Sequence, residues 1–178
     1  MSSRSAGFIG TAMLASFVAL GLALSVSLPS RSSDCPAFLL AFADFVSALV
    51  PSINSFASVS SFPFTTRLFL SIEWSTVPFL AMLIRLQPSL VEPNRRTLLK
   101  FSKLKVLLLV LAVAGLLVIY PATIQVRDDD LTGGMLHEWA LRSASTSTVW
   151  LGLIGSTVIF AAAYGAALSF SYFKALGK

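Results

Sequence analysis

The chain has 178 residues, 56% of them hydrophobic and only 12% charged, with a mean hydropathy of +0.82. This excludes a soluble domain of ordinary composition, and we expect a single all-α integral membrane domain. The net charge of +5 does not imply nucleic acid, because nine of the thirteen Lys and Arg residues (Arg4, Arg85, Arg95, Arg96, Lys100, Lys103, Lys105, Lys174, Lys178) fall where the positive-inside rule keeps short loops and termini cytoplasmic.

The first span is expected over 7–28, about the length that crosses a hydrocarbon core, bounded by Arg4 before and by Pro29, Arg31 and Asp34 after. It is longer than the apolar region of a typical signal peptide and has no clear cleavage site, so a retained helix is expected. Thr11, Ala15, Ala19 and Ala23 recur every four residues and predict a face for close helix packing.

An external segment follows over 29–65. Apolar residues at 38, 42, 45, 49, 53 and 56 mark one face of an amphipathic helix, opposite Asp44, Ser47, Ser52, Asn54 and Ser55, with a kink near Pro51. Such a helix would lie on the outer leaflet or fold against the bundle. The alternative, that 36–59 forms a further span, would put Asp44 and Pro51 in lipid.

The second span, 66–86, carries Glu73 and Pro78. Measured from Arg67 at the outer interface, Glu73 lies about 9 Å deeper along a helix. An acid at that depth is a functional candidate; otherwise Glu73 and Trp74 form an interfacial pair beside water. Pro78 removes a backbone donor and predicts a kink whose freed carbonyls Ser75 or Thr76 can help to satisfy.

A basic loop over 87–103 holds Pro88 and Pro93, which should end the second span, and this loop fixes the orientation. The third span, 104–124, is the least interrupted apolar run, with Tyr120 at its outer end. The second external segment, 125–147, contains RDDD, a Gly133 and Gly134 turn, and MLHEWALR. The three aspartates lack the alternating ligands of a calcium loop. His137 beside Glu138 could form an acid and base pair, but no nucleophile completes a catalytic set, so no enzyme activity is expected. One Cys35 and one His137 also exclude an intramolecular disulfide, a bis-histidine haem and a multi-histidine metal site, and no cofactor is expected.

The fourth span, 148–173, ends in Lys174 and Lys178, which places both termini in the cytoplasm. Gly152 and Gly155 lie near its outer end, and Ala161, Gly165 and Ser169 form a second small-residue face. The expected fold is a four-helix transmembrane bundle with an amphipathic external helix.

Three stretches carry a family resemblance: PSINS (Pro51 to Ser55), STVPFLAML (Ser75 to Leu83), and LTGG with LRSASTST leading into the last span and its lysine-bearing tail. From about residue 50 onward the chain resembles the colicin A-type immunity proteins of the bacterial inner membrane. The resemblance implies protection of the producing cell by binding the pore-forming domain of a bacteriocin within the bilayer before its channel opens. Two other readings stay open. One is an accessory subunit of a larger membrane complex, with a homo-oligomer as a related form; the other is a small transporter or channel with Glu73 as its ion or proton site.

Overall fold

The computed structural model describes residues 3–108, 143–144 and 146–176. The third span lies outside the described residues beyond residue 108, as do the RDDD turn, the Gly133 and Gly134 turn, His137 and Glu138. The described residues are helical and contain no strand.

Helix α1 runs Ser3–Ser27 and is followed by a 3-10 turn, Ser32–Asp34. Helices α2 (Ala37–Leu49) and α3 (Ser52–Val59) precede α4 (Pro63–Arg85), α5 (Pro88–Leu98) and α6 (Thr148–Leu176). Within them, Phe8–Ser27, Pro63–Arg85 and Thr148–Ala175 are long and apolar enough to cross a membrane. Phe8, Leu20, Phe38 and Phe79 are each more than two-thirds exposed, which suits surroundings of lipid rather than water.

α1 packs antiparallel to α4. Leu28 lies with Leu68 in one apolar cluster, whereas Met13 and Phe17 lie with Leu80 and Ile84 in another. At the first of these ends, the Thr65 hydroxyl donates to the carbonyl of Pro29 at 3.0 Å. α6 runs parallel to α4, with Ala163 and Ala167 against Leu80 and Ile84, so the start of α1 and the end of α6 share one end of the bundle.

The expected single amphipathic helix is two helices, α2 and α3, bent by 112°. Pro51 explains the break, since it lacks an N–H and its ring conflicts with the carbonyl one turn earlier. The polar and small side of α2 faces inward: Ala43, Val46 and Ser47 are buried, while Phe38, Phe45 and Leu49 point away. Arg67 of α4 holds this side. Its Nη2 lies 2.6 Å from Asp44 Oδ1, and Nε and Nη2 donate to Ser47 Oγ at 3.2 and 2.8 Å.

Pro88 does more than stop the second span. At the first position of α5 its missing N–H costs nothing and its fixed φ suits a helix start. Pro93 lies inside α5, on an exposed side where water can satisfy the carbonyl left without a donor. α4 likewise continues through Pro78. The Ser75 and Thr76 hydroxyls donate to the carbonyls of Ile72 and Glu73 at 2.6 and 2.7 Å rather than to that of Trp74, four residues before the proline.

Candidate functional site: a buried carboxylate among three helices

Where α1, α4 and α6 meet, a helical backbone can come close only if its side chains are small. Gly21 and Ser25 on α1 are four residues apart, as are Gly152 and Ser156 on α6. The antiparallel crossing places Gly21 against Ser156 and Ser25 against Gly152. A methyl group on Gly21 would overlap the Ser156 hydroxyl and stand 2.8 Å from Glu73 Oε1; on Gly152 it would stand 2.9 Å from Leu22 Cα. On the neighbouring face, one on Gly155 would stand 2.8 Å from the Phe69 ring.

Glu73 of α4 projects into this junction and is only 3% exposed. Ser156 Oγ donates to its Oε1 at 3.0 Å, while Oε2 is buried and has no hydrogen-bond partner among the described residues. No cation pairs with it among those residues, and Arg67, six residues earlier on α4, is committed to Asp44 and Ser47. Ser25, which closes the same seam, is buried and donates to the carbonyl of Leu22 at 3.0 Å. The arrangement can hold or exchange a proton at Oε2, or accept one further donor.

The remaining sequence-derived residues are dispersed. Trp74, next to Glu73, is half-buried, and Pro78 is exposed. Ala161, Gly165 and Ser169 lie on a different side of α6 from Ser156, Ala163 and Ala167. Ala161 is exposed, Ser169 Oγ donates to the carbonyl of Gly165 at 2.7 Å, and a methyl group on Gly165 meets nothing within 4 Å among the described residues. The Thr11, Ala15, Ala19 and Ala23 stripe is exposed, and α1 packs instead through Phe17, Gly21 and Ser25. Gly21, Ser25 and Ser156 escape a reading of sequence alone. The signal for them is the matched pair of four-residue spacings, Gly21 with Ser25 and Gly152 with Ser156. Among the described residues, no group of three or more His, Cys, Asp or Glu could hold a metal ion.

No known protein family, curated protein or solved structure matches this chain.

Proposed function

We propose that this chain is a multi-pass membrane protein that binds a partner helix laterally, and that the partner is the pore-forming domain of a bacteriocin, whose channel it keeps closed in the inner membrane of the producing cell. The proposed topology has four spans, with both termini and the 87–103 loop in the cytoplasm. The observation that carries the reading is the open Ala161, Gly165 and Ser169 face, on which a Cβ at Gly165 meets nothing among the described residues. In lipid, helices associate by close packing rather than by apolar burial, and such a face permits it. The PSINS, STVPFLAML and LRSASTST stretches supply the choice of partner.

The test is expression in a bacterium challenged with candidate pore-forming bacteriocins, scoring survival and membrane depolarisation beside protein abundance. Gly165→Leu should keep normal abundance, since a Cβ there meets nothing within 4 Å among the described residues, yet lose protection. Loss of abundance instead would make the face an internal packing surface. Absence of protection by the unaltered chain against every such toxin would leave the complex-subunit or homo-oligomer reading in front.

A second reading has its own observation, the buried Glu73 whose Oε2 has no hydrogen-bond partner among the described residues. An acid held within spans is the usual mark of an ion or proton path. Proton flux into liposomes carrying the protein, abolished by Glu73→Gln, would support a small transporter or channel.

A further inference from the structure

A groove of about 500 Å³ runs between α1, α5 and α6, walled by Gly10, Leu14, Leu90, Phe160, Ala161 and Tyr164. That volume falls within the range of small-molecule sites, ~300–1,000 Å³. Its walls are mostly apolar, and two of its three sides belong to helices apolar enough to span a membrane. The third side is α5, which is clasped in place: Asn94 Nδ2 donates to the Tyr164 hydroxyl at 2.6 Å, and that hydroxyl donates to the carbonyl of Leu90 at 2.9 Å. Ser89 also lines the groove and brings a hydroxyl to it.

Charge gathers at this end of the bundle. Six cations (Arg85, Arg95, Arg96, Lys100, Lys103, Lys105) stand against one acid, Glu92. Arg95 and Arg96 both reach Glu92 Oε1, at 2.7 and 3.2 Å, so one carboxylate is shared between two guanidinium groups. Arg95 Nε is buried and has no acceptor among the described residues. Lys100, Lys103 and Lys105 are exposed and make no ion pair among those residues. Arg95 lies outside the groove's wall, one residue past the Asn94 clasp and about 9 Å along the helix from Ser89, a span that a phosphate and an arginine side chain together bridge.

From this juxtaposition we infer that the groove is a binding site for one anionic phospholipid, its acyl chain lying along α1 and α6 and its phosphate meeting Ser89 and Arg95. A zwitterionic lipid fits the apolar part but does not answer the excess of positive charge, and a free phosphate has nothing to place in the groove. Basic pockets beside spanning helices are suited to such headgroups. The inference needs only the membrane setting; Ala161 belongs both to the groove and to the open face of α6, so a partner helix seated there would border the lipid.

The experiment uses the purified full chain, delipidated in detergent and titrated with phosphatidylglycerol or with phosphatidylcholine of the same chains, with bound lipid counted by native mass spectrometry. One phosphatidylglycerol should be retained saturably in preference to phosphatidylcholine, and glycerol phosphate should not displace it. Arg95→Gln should weaken retention about fivefold, the usual effect of one cation near a lipid surface. Glu92→Gln, which breaks the same ion pair but leaves the cation, should not weaken it. Leu14→Trp, which fills the groove, should abolish the preference. Equal retention of both lipids would overturn the inference. So would displacement by glycerol phosphate, which marks a free-phosphate site, or equal weakening by Arg95→Gln and Glu92→Gln, which marks the ion pair as merely structural. Protection assays on Arg95→Gln separate this site from the α6 face: lost lipid with retained protection leaves the partner reading intact.

Discussion

Gly21 and Ser156 touch, yet substitution destabilises each in a different way. At Gly21 any side chain must displace the Ser156 hydroxyl and press on Glu73 Oε1, so Gly21→Leu should unfold much of the protein; overpacking of this kind costs ~1–3 kcal/mol or more. Ser156→Ala fits the space but leaves Glu73 with neither oxygen partnered, a loss of about 1–3 kcal/mol. Glu73→Gln conserves volume and can still accept from Ser156, so its cost should stay below about 1.5 kcal/mol. Thermal unfolding of the three variants in detergent checks the order, and a Ser156→Ala protein as stable as the parent would remove the hydrogen bond from the account. Glu73 itself was legible in the sequence, since a carboxylate inside an apolar run announces a cost. Its neighbours were not. Small residues recur every four positions along several lines of α1, so their spacing alone cannot say which line faces another helix.

Helix α2 shows the same difficulty at the scale of an element. Its amphipathic period was readable, but the apolar stripe of Phe38, Phe45 and Leu49 points outward and the side of Ala43, Val46 and Ser47 points in, the reverse of a water-soluble helix. Arg67 is the tie. Asp44→Asn should cost less than about 1 kcal/mol, because the pair is partly exposed, with side chains 35% and 64% accessible. Arg67→Met should cost more, since Ser47, which is buried, also loses its donor. A double-mutant cycle by denaturant in mixed micelles measures both. For α5 the two prolines in Pro88–Leu98 read as breakers, and only the position of Pro88 at the helix start and the exposure of Pro93 show why the helix tolerates them.

The same helix carries a pH dependence. The Arg95 hydrogen bond, followed by that of Arg96, holds the Glu92 carboxyl below its ordinary value. A group whose value is lowered on folding contributes stability above its unfolded value, about 4.3, and loses it as the pH falls through the lower folded value. Acid titration of the order of α5, followed by the mobility of a spin label on the exposed position Thr97→Cys in a Cys35→Ser background, should show an acid transition that Glu92→Gln removes.

For the whole molecule, length and hydropathy were enough to find α1, α4 and α6, because twenty or so apolar residues have few other uses. Sidedness rests on Lys and Arg placement and is open to direct test. In a Cys35→Ser background, a cysteine at Asn94 should be shielded from membrane-impermeant thiol reagents in intact cells, whereas one at Asp129 should react. Labelling at Asn94 from outside would invert the orientation.

The contact between Pro29 and Thr65 also bears on the parity of the proposed crossings. The chain leaves α1 and enters α4 at one end of the bundle, so whatever α2 and α3 do between those points must add an even number of crossings. Neither helix, of 13 and 8 residues, reaches across a hydrocarbon core of ~30 Å alone at 1.5 Å per residue. Under the proposed four-span topology that even number is zero, and the 112° bend is the apex of an excursion that returns to the side it left. How deeply that excursion dips can vary with lipid thickness or with a bound partner without reversing the direction of α4.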